Sequence, residues 1–353
     1  PSPSGIAMSV PRRRRSRLPS EGVCRMMKRQ GDRVVDVGAR SITDAHHFAH
    51  EAMATVFELY IVEEDETYAR QGAQAAFAEV DRLELEMSRF LSNSDISRLN
   101  DAEPGQTVAL GMDSFECLCR AKEMFGKTGG AFDISIGALY ACWLHEDRTL
   151  RQPSPKEIQH AHALTGLNHL ELDEEGFCAE VLTEGVQFDL GGIGKGYAAE
   201  KVAEILREWS LGQALVLAGA SSVLSVSVPE GMSGWPMKLR NPENPNEVLA
   251  RFELKEGAVS GSGRQKGQHI IDPRSVDVGA VKGRLAAWSV APDAIAADAS
   301  STAFMMLSDE EINGYCLANA KTAAIIMPHE DSVGFSNQTV KCFGELEEIE
   351  LEA

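Results

Sequence analysis

The stretch from Val186 to Trp209 limits what this chain can fold into more than any other part of it. The residues from Val186 to Leu190 predict a short strand, and the sequence Gly-Gly-Ile-Gly-Lys-Gly at 191–196 predicts a turn. A helix follows, because apolar residues recur there at helical spacing. The residues on that apolar face are Ala198, Val202, Ile205, Leu206 and Trp209.

A strand, a glycine turn and a helix start in this order are typical of an anion-binding site. Glycines let the backbone approach a ligand, the first amides of a helix are unpaired donors, and Lys195 adds a cation, so a phosphate or pyrophosphate would suit the turn. Gly192, Gly194 and Gly196 nevertheless give G-x-G-x-G, which is not the dinucleotide fingerprint, and Lys195 lacks the Ser or Thr that follows it in a P-loop. A plain strand-to-helix turn with a solvated Lys195 therefore stays open as the alternative.

The charge of the chain restricts its partners. Its 353 residues carry a formal net charge of −19, which argues against nucleic acid or an anionic membrane surface as the partner. Any bound phosphate then needs a local positive site, and we expect a metal to contribute to it. The seven cysteines form no C-x-x-C pair and are expected to be reduced thiols, and no run is apolar enough to predict a transmembrane segment.

The composition changes along the chain and predicts three zones. Residues 1–45 read as a disordered basic leader, with four arginines at 12–15 and no apolar segment of a secretory signal. Residues 46–345 read as one folded domain, and residues 346–353 as an acidic tail. The chain as written is therefore expected to be cytoplasmic.

Polar and apolar residues alternate in several short runs without the spacing of βαβ units, which predicts an α+β fold with mixed or antiparallel sheets. A long helix is expected from about Tyr68 to Phe90. Asp113 with Glu116, and Ser154 with Glu157, have the spacing of capping boxes at two further helix starts.

Four more positions are candidates for a functional site. Asp133 lies among small and apolar residues and needs a partner there, although a backbone-capping role would also explain it. His269, followed by two isoleucines, could act as a general base or be a structural histidine. Asp298 and Thr302 are four residues apart on one helix face and offer hard oxygen ligands for Mg²⁺; a hydrogen bond between the two is the alternative.

Taken together, five segments resemble the ApbE family of FAD:protein FMN transferases in sequence and spacing, and the resemblance covers about His46 to Pro328. Its most specific parts are Asp-Leu-Gly-Gly-Ile-Gly-Lys-Gly and His-Ile-Ile-Asp-Pro. The five segments are residues 88–100, 128–133, 189–196, 269–274 and 297–303.

The resemblance implies an ApbE-like α+β fold with a ligand cleft between two halves. It further implies that one or two Mg²⁺ ions assist cleavage of the FAD pyrophosphate. FMN would pass to a Ser or Thr hydroxyl of a partner protein and AMP would be released. Some relatives instead hydrolyse FAD to FMN and AMP, so an FAD pyrophosphatase is the alternative.

The resemblance also implies roles for individual residues. Asp298 and Thr302 would supply metal-ligating side chains, and Gly194 a backbone carbonyl for the metal. His269 would be the base that activates the acceptor hydroxyl. The residues implied to line the FAD site are Met53, Asp133, Asp189, Lys195 and Asp272.

Several positions depart from the family pattern. Ala54 stands where the family usually has Gly, Ser221 where it has Asp, and Arg264 where it has Asp. No aromatic residue stands at 91–93, where many members place a Tyr over the flavin ring, and the lipobox of exported members is missing. These departures leave open a divergent relative that binds a flavin or another nucleotide without catalysis.

Overall fold

A computed structural model describes residues 35–37, 45–145, 149–264, 270–275, 281, 283–329, 340–345 and 350–351. Two short strands lie inside the predicted leader and tail: β1 (Val35–Val37) and β15 (Glu350–Leu351). Each pairs antiparallel with a strand of the central part of the chain. The folded part of the chain therefore takes in backbone on both sides of the predicted 46–345 domain.

Eight α-helices lie in the described residues, and local sequence explains where most of them begin and end. Helix α1 begins after Asp65, whose side chain accepts hydrogen bonds from the amides of Thr67 and Tyr68. The helices are α1 (Glu66–Met87), α2 (Asp95–Asn100), α3 (Met112–Lys127), α4 (Gly137–Trp143), α5 (Pro155–Ala163), α6 (Gly194–Glu208), α7 (Ala294–Phe304) and α8 (Asp309–Ala318).

The strands form three sheets in which every ladder is antiparallel, so the predicted α+β class is confirmed. The remaining strands are β2 (Ala45–Ala52), β3 (Thr55–Val62), β4 (Thr107–Ala109), β5 (Leu170–Asp173), β6 (Cys178–Val181), β7 (Ala214–Ala218), β8 (Ser222–Ser225), β9 (Trp235–Arg240), β10 (Val248–Leu254), β11 (Gly257–Gly263), β12 (Arg284–Ala291), β13 (Ala323–Pro328) and β14 (Lys341–Gly344). The large sheet has the order β14-β13-β12-β11-β8-β7-β3-β2, and the smaller sheets have the orders β1-β9-β10-β15 and β4-β6-β5.

The inner strands of the large sheet are buried on both faces, whereas the edge strands β2 and β14 are partly exposed. One face carries α1, α6 and α7, and their apolar residues join those of the sheet in the main core. The other face shares a second core with the four-stranded sheet, centred on Trp235 and Trp288. Because α6 and α7 pack on the same face beside β8 and β11, residues far apart in sequence meet where these four elements converge.

Two local predictions are wrong. The run Val186–Leu190 is not a strand. It forms a single bridge, Gln187 to Ile136, and the Phe188 amide donates to the Asn100 side chain instead of to a ladder partner.

The predicted capping box at the start of α3 is also missing. Gly111 is its N-cap, without a side-chain cap, because the carboxylates of Asp113 and Glu116 point to other helices. The box of Ser154 and Glu157 at α5 is confirmed.

The sequence also predicts the absence of a transmembrane segment and the presence of reduced cysteines. None of the helices in the described residues combines the length and apolar character needed to cross a bilayer. The six cysteines within the described residues are free thiols, as the sequence predicts.

Candidate active site between helices α6 and α7

Asp298 is the most enclosed carboxylate at the junction of α6, α7, β8 and β11. It lies in the middle of α7 with 4% of its surface exposed. Its Oδ1 accepts hydrogen bonds from the hydroxyls of Ser222, at 3.3 Å, and Ser260, at 3.2 Å, and these hydroxyls lie 2.8 Å apart. A buried carboxylate is stable only with such partners, so strands β8 and β11 hold one of its two oxygens in place.

The other oxygen of Asp298 faces the start of α6. The Lys195 ammonium lies 3.1 Å from Oδ2 and 3.4 Å from Oδ1, and the Gly196 amide donates to Oδ2 at 3.2 Å. The glycine turn with its lysine therefore binds an anion, as the sequence suggests, but that anion is the protein's own carboxylate. Reading Lys195 as a solvated side chain is wrong, because its ammonium pairs with this buried group.

Close contact between the two helices makes this pairing possible. A Cβ atom on Gly196 would lie 2.2 Å from the Ala294 carbonyl oxygen and 3.0 Å from the Asp298 Cβ, so only glycine fits there. The first amide of α7, that of Ala294, donates to Glu200 of α6 at 2.6 Å. Asp293 caps α7 and pairs with Arg120 of α3. Three helices thus fix the position of Asp298.

Thr302 lies one turn after Asp298 on α7, as predicted. Its hydroxyl donates to the backbone carbonyl of Asp298 at 3.3 Å and lies 3.1 Å from the Ser262 hydroxyl of β11. The hydrogen bond that the alternative reading expects between the two residues therefore exists, but it involves the carbonyl and leaves the carboxylate to other partners. Thr302 also lines a cleft beside α7.

That cleft separates two parts of the fold. One wall comes from residues 131–140 and 189–192, and the other from residues 270–273 and the end of α7. The described residues enclose a volume of about 40 Å³ there. Its lining residues are Ala131, Phe132, Asp133, Ile136, Tyr140, Asp189, Gly192, Ile270, Ile271, Pro273, Thr302 and Met306. Three residues that the family resemblance implicates, Asp133, Asp189 and Thr302, therefore meet there.

Among the described residues, the hydrogen bonds to the Asp133 carboxylate come from a residue two positions away. Oδ1 of Asp133 accepts hydrogen bonds from the amide of Ser135, at 2.8 Å, and from the Ser135 hydroxyl, at 2.7 Å. Burial raises the pKa of Asp133, and the hydrogen bonds from Ser135 offset only part of that rise. The backbone-capping role is thus present, and the carboxyl group also lies on the cleft wall, where a ligand donor would relieve its burial.

Asp189 is held at the mouth of the cleft by two groups. The Gly191 amide donates to its Oδ1 at 2.7 Å, and Arg89 pairs with its Oδ2 at 2.9 Å. The guanidinium of Arg89 also lies 4.6 Å from the centre of the Phe90 ring, whose residue is 78% exposed. An aromatic face thus stands beside Asp189 although no aromatic residue occurs at 91–93. Neither Arg89 nor Phe90 is predicted as a site residue from the sequence.

Met53 and Asp272 are not among the described residues that line the cleft. Met53 and Ala54 form the turn between β2 and β3, and both have left-handed backbone conformations, with φ of 50° and 55°. Glycine favours that conformation, so an alanine at position 54 carries strain of about 1–2 kcal/mol.

Asp272 is paired through both carboxylate oxygens with Arg274. Arg274 also binds Glu311 and the Met306 carbonyl, so the pair anchors the loop of Asp272 to the end of α7.

The remaining predicted residues are Gly194 and His269. Gly194 is the first residue of α6, two positions before the glycine whose amide binds Asp298. His269 lies outside the described residues, and its role as a base stays a prediction.

Hard oxygen donors gather around Asp298, from the hydroxyls of Ser222, Ser260 and Thr302. Within the described part of the chain, no three or more His, Cys, Asp or Glu residues form a group that could hold a metal ion. One carboxylate with hydroxyl neighbours still suits Mg²⁺, which commonly takes one or two protein carboxylates and completes its shell with waters and substrate phosphates. Ser222 and Ser260 were missed from the sequence, since only their contact with a residue 76 or 38 positions away reveals them.

Comparison with known proteins places this geometry in a family context. The family model described as the ApbE family matches residues 53–326. The FAD:protein FMN transferase of Salmonella typhimurium is 25% identical over 301 residues, covering 81% of this chain and 84% of the relative. The FAD:protein FMN transferase of Vibrio cholerae is 23% identical over 323 residues, covering 87% of this chain and 94% of the relative.

Solved structures share the fold. The ApbE protein of Thermotoga maritima superimposes with a TM-score of 0.74 and 24% identity, covering 85% of this chain and 97% of that one. The apo form of the Pseudomonas stutzeri flavinyl transferase ApbE superimposes with a TM-score of 0.71 and 24% identity, covering 84% of this chain and 93% of that one. These similarities confirm the ApbE-like α+β fold that the sequence predicts.

Proposed function

Since this chain belongs to the ApbE family, we propose that it transfers FMN from FAD to a Ser or Thr hydroxyl of a partner protein, with Mg²⁺, and releases AMP. The relatives named above are FAD:protein FMN transferases, and the chain is accordingly a flavin-transferring enzyme. The Mg²⁺ requirement, the hydroxyl acceptor and the AMP product are the proposed parts of this function.

The observation that carries the proposal is the pairing of a buried carboxylate with a cation at one end of a cleft. Asp298, Lys195 and the start of α6 lie together, and Thr302 connects this group to the cleft wall. Phosphoryl transfer depends mostly on positioning and on neutralising negative charge. Positioning and charge neutralisation are both available here. They come from a lysine, from helix amides and from a carboxylate that suits a divalent cation, next to the place proposed for the pyrophosphate.

The residues of the chain divide the work in the proposed reaction. Asp298 and Thr302, with the Gly194 carbonyl, would hold Mg²⁺, which when bound neutralises charge on the pyrophosphate. Lys195 would bind a phosphate oxygen, and the cleft wall that carries Asp133 would hold the flavin end of FAD. Asp189, with the Arg89 and Phe90 pair, would hold FAD at the mouth of the cleft.

The proposed transfer is a single displacement at the phosphorus atom of the FMN half of FAD. The acceptor hydroxyl oxygen forms a bond to the phosphorus of the FMN half, and the bond from that phosphorus to the bridging oxygen breaks. AMP leaves with the electron pair of the broken bond. His269 would take the proton of the hydroxyl, the role that the resemblance implies for it.

The test is incubation of the whole protein with FAD, Mg²⁺ and a candidate acceptor protein. We expect a fluorescent acceptor band after denaturing electrophoresis and AMP in equal amount by chromatography. Asp298→Ala and His269→Ala should each abolish both signals. Asp113→Asn is the matched control, since Asp113 also contacts α6 but lies in a different cluster, and it should label normally.

Two results would change the proposal. Normal labelling by the Asp298 and His269 variants would overturn the mechanism. AMP and free FMN formed at the same rate with and without the acceptor would identify an FAD pyrophosphatase instead, and tight FAD binding without AMP would identify a non-catalytic flavin-binding protein.

A further inference from the structure

The ammonium of Lys195 lies among oxygen atoms that would also suit a divalent cation. It contacts both oxygens of Asp298, at 3.1 and 3.4 Å, and donates to the backbone carbonyl of Gly191 at 3.2 Å. A carboxylate and a backbone carbonyl are hard donors of the kind that Mg²⁺ takes. Lys195 therefore occupies the Asp298 carboxylate that the proposed metal needs.

The other neighbours of Asp298 leave little room for a second cation. Oδ1 already accepts from Ser222 and Ser260, and Oδ2 from the Gly196 amide. All three donors belong to strands or to the helix backbone and are fixed in place, whereas the Lys195 side chain is long and rotatable. Since two cations on one carboxylate repel each other, a divalent ion gains full access to Asp298 only when the ammonium moves away.

Lys195 has the freedom to make that move. Its side chain is 20% exposed, whereas that of Asp298 is 5% exposed. The lysine is in the first turn of α6, next to the turn that carries Gly192 on the cleft wall. A phosphate in that cleft would offer the ammonium another anion within reach of its flexible stem.

We propose that Lys195 is an internal competitor for the divalent cation at Asp298, and that FAD draws it away so that cation and FAD bind cooperatively. This inference rests on the proposed function, in which FAD is the substrate. Binding coupling is reciprocal, so the cation raises the affinity for FAD by the factor by which FAD raises the affinity for the cation. The metal-bearing form of the site is then assembled only around substrate.

The experiment measures Mn²⁺ binding to the whole protein by electron paramagnetic resonance, with and without FAD. Without FAD, Lys195→Met is expected to bind Mn²⁺ about ten- to a hundredfold more tightly than the wild type. Adding FAD should strengthen Mn²⁺ binding to the wild type by a similar factor and to Lys195→Met by much less. Lys195→Gln repeats the test with a second neutral side chain, and Lys195→Arg, which keeps the charge, should bind Mn²⁺ as weakly as the wild type.

Two controls separate this site from other acidic groups. Lys201→Met removes a charge from the same helix without touching Asp298, and it should match the wild type. Adding Asp298→Asn to Lys195→Met should remove the tight binding.

Equal or weaker Mn²⁺ binding by folded Lys195→Met and Lys195→Gln, without FAD, would overturn the inference. That result combined with normal flavin transfer by the wild-type protein would leave the proposed function intact. If the wild type neither binds nor cleaves FAD, the proposed function fails, while the FAD-free titrations still decide whether Lys195 competes with the cation.

Discussion

Helix α6 carries two lysines that pair with carboxylates, and the two clusters differ in what surrounds them. Lys195 has one carboxylate, Asp298, whose side chain is 5% exposed and is held by two hydroxyls and an amide. Lys201 is shared by Asp113, Glu116 and Glu204, and the last two are half exposed. The first cluster lies beside the cleft, and the second joins α6 to α3.

This difference shows how a buried functional site can be distinguished from a surface network of ion pairs. In the Lys201 cluster, several acids share the charge and water reaches most of them, so the loss of one partner is compensated. In the Lys195 cluster, a buried carboxylate has one cation, and the loss of any partner leaves a group that water cannot reach. Three changes in these two clusters, two in α6 and one in α3, should therefore have effects of clearly different size.

The largest structural effect is expected for Gly196→Ala, on the Asp298 side of α6. The added methyl group would lie 2.2 Å from the Ala294 carbonyl oxygen, so α6 and α7 must move apart. We expect a loss of about 1–3 kcal/mol in the free energy of unfolding, measured by urea denaturation, with loss of flavin transfer because Asp298 moves as well.

Gly194→Ala provides the control two residues earlier on the same helix. A Cβ at Gly194 would lie 3.7 Å from its nearest neighbour, Leu190 Cβ, an ordinary contact. Its free energy of unfolding should be equal to or above that of the wild type. Equal stability of both variants would show that the helices do not depend on the close contact.

An intermediate, pH-dependent effect on stability is expected for Asp113→Asn in the Lys201 cluster. Burial by itself would raise the pKa of Asp113, but hydrogen bonds from Tyr197 and Arg82 and the charges of Arg82 and Lys201 outweigh it and lower the pKa below 3.8. The ionised carboxylate therefore stabilises the fold above pH 3.8, and this contribution is lost as the pH falls through the folded-state pKa.

The measurement is urea denaturation of Asp113→Asn and the wild type between pH 3 and 7. At neutral pH the variant should be less stable by about 1 kcal/mol, and the difference should shrink below pH 3.8. Tyr197→Phe serves as the comparison, because it removes the hydroxyl that binds Asp113 at 2.8 Å and keeps the carboxylate. A difference that grows as the pH falls would contradict the assigned role of Asp113.

The smallest effect is expected for Lys201→Met. Its three carboxylates are partly solvated and Arg82 also pairs with Asp113, so we expect a loss below about 1 kcal/mol that high salt reduces further. Thermal or urea denaturation at low and high salt measures it. A loss as large as that of Gly196→Ala would mean that both clusters contribute equally to the stability of the fold.

Much of the local structure follows from the sequence because its causes are local. A helix follows the glycine turn as predicted, although α6 begins at Gly194, inside the run 191–196 assigned to the turn, and Asp298 and Thr302 share a face of α7. Ser154 and Glu157 cap α5 as predicted. In each case the deciding contacts join residues within one or two helical turns.

The failures occur where a distant partner competes with a local one. Asp113 has the spacing of a cap, but Tyr197 and Arg82 offer it a hydrogen bond and a charge. Val186–Leu190 has the composition of a strand, but the Asn100 side chain takes the Phe188 amide. Phe90 is an exposed aromatic that sequence spacing alone did not connect with Arg89 and Asp189.

The sequence by itself determined the α+β class, the helices that carry the site, and the family to which the chain belongs. Glycines, free amides and a lysine favour negative charge where they occur together, so the sequence also suggested anion binding at the glycine turn of α6, with a plain strand-to-helix turn as the alternative. Only the tertiary structure decided that the anion is Asp298, 103 residues from Lys195. The reason is physical: a buried carboxylate must find its donors in space, and sequence patterns record only the neighbours along the chain.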